Sequence, residues 1–190
     1  MPMPEKIEDL SHLSLSDIAD LVAAQKLPPV DRWHPAREGS IDIRIARDGR
    51  WFHEGGEITR PNMVRLFSSI LRREADGSHV LVTPAERLSI HVEDAPFIAV
   101  ELKADGEGRD RSLAFRLNTG DMVLAGPDHA LRFEERDGEP APYLHVRGGL
   151  ESRLARSVYY ELAEMAIAEG ASPLGVWSDG IFFAMGDERC

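Results

Sequence analysis

Apolar residues first recur along the chain at helical spacing. In residues 14–27, SLSDIADLVAAQKL, they fall at Leu15, Ile18, Leu21 and Val22, behind Ser14 or Ser16 as an N-cap, and Pro28-Pro29 ends the pattern. The period then changes to two. Ile41, Ile43 and Ile45 alternate with Asp42, Arg44 and Ala46, and Asp48-Gly49 is a turn that lets residues 50–53 return as the second strand of a hairpin. A second helix is expected from Pro61, a residue suited to a first helical turn. Met63, Val64, Leu66, Phe67, Ile70 and Leu71 form its apolar face, opposite Arg65, Ser68, Ser69 and Arg72. From Ser78 to about Phe133 the alternation predicts strands over 79–83, 87–93, 97–104, 111–117, 121–125 and 130–134, arranged as an antiparallel meander. One more strand over 143–147 precedes a long helix expected over 150–169, from Leu150, Leu154, Val158, Leu162 and Met165, closed by Gly170. Residues 176–183 read as a last hairpin turning at Asp179-Gly180.

Two stretches share one order of elements: strand, Asp-Gly turn, strand, GGxx(S/T)R, helix. The first runs from Ile43 through Asp48-Gly49 and Gly55-Gly56 to Thr59-Arg60; the second runs from Leu131 through Asp137-Gly138 and Gly148-Gly149 to Ser152-Arg153. The fold class expected is therefore α+β, with two duplicated repeats of a strand hairpin plus a helix. Its second domain is a mostly antiparallel, partly open barrel capped by a long helix. Domains are expected at 1–30 (an N-terminal helix and linker), 31–84 (first repeat) and 85–190 (second domain). Neither repeat is large enough to bury its sheet face alone, so the two should share a large interface.

Composition narrows the function. With 43% apolar residues in 190, the chain can bury a core without staples. Its only cysteine, Cys190, provides no disulfide, CxxC pair or thiolate zinc site. The start, MPMPEKIEDL, has no basic segment leading into an apolar one, and no apolar run approaches the ~20 residues that span a bilayer; a cytoplasmic location is expected. A net charge of -11 disfavours general nucleic-acid binding. That charge is uneven: residues 31–84 hold nine Arg against eight acids, whereas 85–190 hold eleven bases against twenty acids. A small anion would prefer the first region.

Catalytic signatures are missing from the sequence. The seven His show no HExxH, HxH or i, i+4 pairing, so no metal is expected. There is no GxSxG or SxxK, and the two Gly-Gly pairs are neither GxGxxG nor a Walker loop, so no nucleophile and no cofactor are expected either. Glu86, Glu93 and Asp94 are the acids that would serve as a general acid and base, but acids beside Ala95-Pro96 read better as solvated turn residues.

A continuous signature from about residue 30 to 100 resembles the bacterial Domain of Unknown Function 1285 family. Its parts are Trp33-His34-Pro35, Ile41 to Ile45 after Gly39, Arg47 to Phe52, Ile58-Thr59-Arg60, Met63 to Arg72, Leu81 to Glu86 and Val92 to Phe97. In that family a Pro is expected before the Ile, where this chain has Glu57. The resemblance implies two duplicated α+β repeats, a second domain superficially like pleckstrin-homology folds, a nucleotide-like ligand at the domain interface and a role in signalling.

The function expected is a non-enzymatic cytoplasmic sensor or adaptor in signal transduction, binding a small anionic, nucleotide-containing ligand between its repeats. The alternatives are an enzyme acting on a phosphorylated or acidic metabolite through carboxylates such as Glu86 and Asp94, and a module that binds a protein partner through its acidic second half. The site is expected at the starts of the two repeat helices. There Arg60 and Arg153 oppose the macrodipole, and free N–H groups would converge with them on an anion. Arg44 and Arg65 would complete that wall, and Thr83 would add a hydroxyl.

Overall fold

A computed structural model describes residues 13–186; the stretch MPMPEKIEDL and Cys190 lie outside the described residues. The first helix, α1 (Leu15–Ala24), starts as the sequence predicts. Ser14 Oγ accepts the Asp17 N–H at 3.1 Å while Asp17 Oδ2 accepts the Ser14 N–H at 2.8 Å, a reciprocal capping box.

The remaining elements build two six-stranded sheets. The first contains β1 (Arg37–Ile45), β2 (Trp51–His53), β3 (Gly56–Glu57), β4 (Leu71–Arg73), β5 (His79–Val82) and β6 (Glu86–Val92), with α2 (Pro61–Ser69) linking β3 to β4. The second contains β7 (Phe97–Asp105), β8 (Ser112–Leu117), β9 (Met122–Leu124), β10 (Leu131–Arg136), β11 (Glu139–Arg147) and β12 (Leu150–Leu154). After it come α3 (Arg156–Glu169) and the hairpin β13 (Gly175–Ser178) and β14 (Ile181–Ala184).

Strand order shows the duplication directly. The first sheet runs β3-β2-β1-β6-β5-β4 and the second runs, from the other edge, β9-β8-β7-β12-β11-β10. In each, three strands step outward from the middle, three step back inward from the far edge, and the first and last strands meet as a parallel central pair. The expected single antiparallel meander is thus divided between two sheets, each with one parallel junction. The repeat is real, but its frame is not the one the Asp-Gly and Gly-Gly match proposed. Topology equates β1–β3 with β7–β9, whereas the sequence match set them against β10–β12, the opposite half of the second sheet.

A second correction concerns the long helix. Residues 150–154 form β12, with Leu150, Ser152 and Leu154 buried in alternation, and α3 begins only after Ala155. Leucines spaced by four fit a strand face as well as a helix face, and here hydrogen-bonded neighbours on both sides, β11 and β7, decide for the strand. From Val158 onward the helical reading holds, with Val158, Leu162 and Ala166 buried and Gly170 closing the helix in the left-handed region.

Link length separates the two sheets in shape. Strands β9 and β10 are opposite edges of the second sheet, yet only residues 125–130 join them. Six strands laid flat would hold those edges about 24 Å apart, near the limit of so short a link. The sheet curls into a half-barrel instead. Hairpin β13–β14 lies over its opening, fastened by Ser178 Oγ, which donates to Ala125 O at 2.7 Å and accepts from Leu113 N at 2.9 Å. In the first sheet the matching link contains α2.

One apolar core runs through both units, from Ile43, Ile45, Trp51, Leu71 and Leu81 to Phe97, Phe115, Leu117, Leu144 and Leu162. Two contacts between the units add specificity. Gly49, in the β1–β2 turn at φ +87°, lies so close to β7 that a Cβ there would sit 2.6 Å from Ile98 Cγ1. Arg147 of β11 donates to Ser68 O at 2.8 Å, at the C-terminal end of α2 where a cation is favoured. The boundary expected between 84 and 85 would separate β5 from its hydrogen-bonded neighbour β6; the first sheet extends to Val92.

The N-terminal segment crosses both units. Ile18, fully buried, seats α1 against Ala114 and Met122 on the outer face of the second sheet, and Gln25 Nε2 donates to Met122 O at 3.0 Å. Further on, Arg72 of β4 donates to Val30 O and Trp33 O, both at 2.8 Å. Among the described residues no helix is long and apolar enough to cross a membrane.

Candidate functional site

The five residues expected to form the site do not meet. Arg60 is the exposed N-cap of α2, its guanidinium without a hydrogen bond or ion pair among the described residues, and the same holds for the guanidinium of half-buried Arg65. Arg44 is paired with Glu93 and lies over the Phe52 ring at 4.3 Å. Thr83 acts locally, where its Oγ1 accepts the N–H groups of Ala85 and Glu86, each at 3.2 Å, and closes the β5–β6 turn. Arg153 sits in the middle of β12 rather than at a helix start, so the paired helix-terminus arrangement does not exist. It does not line the cleft between the units, but it is the one of the five that bonds to residues that do, Asp94 at 3.1 Å and the Tyr143 hydroxyl at 3.0 Å.

That cleft is an open cavity of about 320 Å³, lined by Arg73 and His79 of the first sheet, residues 94–96 of the connecting segment, and Arg132, Arg136, Tyr143, Gly149 and Glu151 of the second. Sheet register explains the grouping. Arg73 and His79 are directly opposite on β4 and β5, so both side chains leave the same face. On the second sheet Tyr143 of β11 is opposite Arg132 on β10 and Arg153 on β12. A tyrosine is thereby flanked by two arginines, their guanidinium carbons 4.6 and 5.2 Å from its ring centre. Arg136 adds a third at 5.3 Å.

Asp94 is the hub of this cluster. Its side chain is 2% exposed, and it accepts from Tyr143 Oη at 2.7 Å, Arg136 Nη1 at 2.8 Å and Arg153 Nη1 at 3.1 Å. The reading of Asp94 as a solvated turn acid is therefore corrected: a carboxylate with three such partners can be buried. Burial, and then the hydrogen bond to Asp94, raises the Tyr143 pKa, which keeps the phenol a donor. Glu151 is held by Arg132 in a two-pronged pair at 3.2 and 2.8 Å.

Arg73 differs from these arginines. Its Nη1 donates to Gly149 O at 3.0 Å across the cleft, and it has no carboxylate partner among the described residues. Beside it, burial and then the Arg73 charge lower the His79 pKa. Gly149 is itself positioned by His145, whose Nε2 accepts its N–H at 3.2 Å while Nδ1 faces Asp128 O at 2.9 Å, an arrangement that suits the neutral Nδ1–H tautomer.

One sign of this site was present in the sequence. Arg132, Glu134 and Arg136 alternate with Phe133 and Glu135, which puts two arginines and a carboxylate on one strand face. That Tyr143, Arg153 and Asp94 join them follows only from strand pairing. Glu86, the first residue of β6, and Asp94, just past its end, are the acids considered for catalysis; the length of that strand, about 20 Å at ~3.3 Å per residue, separates them, so one substrate cannot use both. No group of three or more metal-ligating side chains occurs among the described residues.

Known proteins agree with this architecture. Residues 28–95 match the model described as "Domain of unknown function (DUF1285), N-terminal domain", and residues 96–185 match "Protein of unknown function (DUF1285), C-terminal domain". A crystal structure of a DUF1285 family protein from Silicibacter pomeroyi DSS-3 is similar with a TM-score of 0.79 and 44% identity, over 90% of this chain and 94% of that one. Another, from Shewanella baltica OS155, is similar with a TM-score of 0.51 and 26% identity, over 65% of this chain and 91% of that one. No curated protein matches. The two family models meet between residues 95 and 96, beside Asp94 and at the passage from the first sheet to the second, and the chain belongs to the DUF1285 family.

Proposed function

We propose that this protein is a cytoplasmic ligand-binding module of signal transduction, which holds a small anionic metabolite in the cleft between its two sheets and carries out no chemistry on it. The observation that carries this reading is Arg73, a guanidinium on the wall of a polar cavity whose partner among the described residues is a carbonyl and not a carboxylate. A cationic group so placed, next to His79 and facing Arg132 and Arg136, is an electrostatic seat for an anion. The lining acids support binding over catalysis, because Asp94 and Glu151 are each already paired with arginines. A cleft at the junction of two units also suits a sensor, since a ligand there touches both. The pleckstrin-homology likeness rests on the resemblance alone and adds nothing to this reading.

The test is thermal unfolding of the full chain with inorganic phosphate and small phosphorylated or carboxylated metabolites at millimolar concentration. Binding to the folded state alone stabilises by RT ln(1 + [L]/Kd), about 2.7 kcal/mol at a hundredfold excess over Kd. We expect at least one anion to raise the midpoint, Arg73→Ala to abolish the rise, and Arg60→Ala, outside the cleft, to preserve it. A flat response across the set, or a response that Arg73→Ala leaves intact, overturns the proposal.

A further inference from the structure

We infer that the ligand of this cleft is a base-free, hydroxyl-rich phosphate of the sugar-phosphate class rather than a nucleotide. The inference rests on the proposed anion site and specifies what it takes.

A nucleobase needs a flat apolar surface, most often an unoccupied aromatic face. The cleft has one phenyl ring, that of Tyr143, and the sheet has already used it. Because β10 and β12 lie on either side of β11, Arg132 and Arg153 approach the ring from opposite neighbouring strands, with Arg136 as the third cation. The hydroxyl is also engaged, donating to Asp94 and accepting from Arg153 Nη1 at 3.0 Å. The apolar side chains left on the lining are Ala95 and Pro96, both buried and too small to form a slot for a purine.

What the cleft does offer is a row of fixed polar groups. Arg73 and His79 stand together at one wall as donors to a phosphate, and two adjacent donors suit a group with three acceptor oxygens and two charges. On the opposite wall the Arg132 pair holds Glu151 in one orientation with its side chain 24% exposed. Each of its oxygens has one lone pair beyond the bond to Arg132, and a ligand hydroxyl donates to it. Phosphate at Arg73 and hydroxyls at Glu151 are the two ends of a sugar phosphate.

Ribose 5-phosphate and adenosine 5′-monophosphate share ribose and phosphate and differ by the base, so calorimetric titration of the full chain with each, and with inorganic phosphate, isolates the contribution of the base. Ribose 5-phosphate is expected to bind about tenfold more tightly than the nucleotide, and Glu151→Gln to remove about tenfold of its advantage over inorganic phosphate. Phosphate affinity itself should hold or rise in that variant, which also shows that its cleft is folded. Equal or tighter binding of the nucleotide, or an advantage unaffected by Glu151→Gln, overturns the inference while leaving the anion site standing. Failure of all three ligands to bind overturns the anion site itself.

Discussion

Asp94 shows how a single carboxylate can organise a junction. It lies in the short link between the two sheets, is nearly excluded from water, and gathers a tyrosine and two arginines that arrive from three strands. Removing it leaves Arg153, itself largely covered, without a countercharge, and leaves the Tyr143 hydroxyl without its acceptor. Arg136 is half-exposed and loses less, because water screens it. Asp94→Ala should therefore lower the unfolding free energy by about 2–3 kcal/mol, whereas Tyr143→Phe, which keeps both ion pairs, should cost about 1 kcal/mol. Urea unfolding of the two variants checks the order; a larger loss for Tyr143→Phe would put the weight of the cluster on the ring instead.

At the scale of elements, α1 depends on tertiary contact for its persistence. A ten-residue helix is marginal by itself even with a capping box, so its persistence rests on Ile18 seated against Ala114 and Met122 and on Gln25 reaching Met122 O. Ile18→Ala removes most of that seat and should cost about 2–3 kcal/mol of docking energy. We expect the loss to stay local. Amide exchange should speed up throughout residues 15–24, with little change in β8 and β11, and uniform acceleration across the chain would contradict the picture of a separately docked helix. The β1 to β2 hairpin forms as the sequence predicts and α2 starts at Pro61, but the expected face of that helix is corrected: Leu71 and Arg72 belong to β4, Leu66 is exposed and Ser68 is buried. Residues 150–154 do not form the expected helix, because leucines four apart satisfy both periods and only the presence of β7 and β11 settles the choice.

For the molecule as a whole, pH acts through the wall shared by Arg73 and His79. His79 has Arg73 opposite it on β4 and apolar Ile90 opposite it on β6, with Asp94 and Glu151 across the cleft already paired to arginines. Burial and then Arg73 hold its pKa below the 6.5 of a free imidazole. The unfolded chain therefore takes up the proton first as pH falls. This contribution to stability is fully present above about pH 6.5 and is lost between that value and the lower folded one. An anion bound at Arg73 reverses the balance by favouring imidazolium, so ligand affinity should increase on acidification over the same window. His79→Gln should flatten both trends, as read from unfolding midpoints and titrations in a series descending from about pH 7.5, above the free imidazole value. A pH dependence of ligand affinity that is the same in the unaltered protein and in His79→Gln would exclude His79 as a phosphate donor.

The sequence by itself determined what depends on neighbours along the chain. Hydrophobic period located most of the strands and two of the helices, Asp-Gly pairs located turns, and the recurrence of one element order revealed a duplicated α+β chain; the 30–100 signature pointed to the family the comparisons show. Tertiary structure decided what depends on pairing between distant strands. Which half of one sheet corresponds to which half of the other, where β6 belongs, and which arginines converge are all consequences of β1 meeting β6 and β7 meeting β12 in parallel. The expected site shows the same division: an arginine at a helix start was visible in Thr59-Arg60, whereas the cleft of Arg73, His79, Tyr143 and Asp94 brings together side chains from both sheets and the link between them. The physical reason is that strand alternation gives each residue a face but no partner, and partners are chosen by the loop lengths and shared core that close the whole fold.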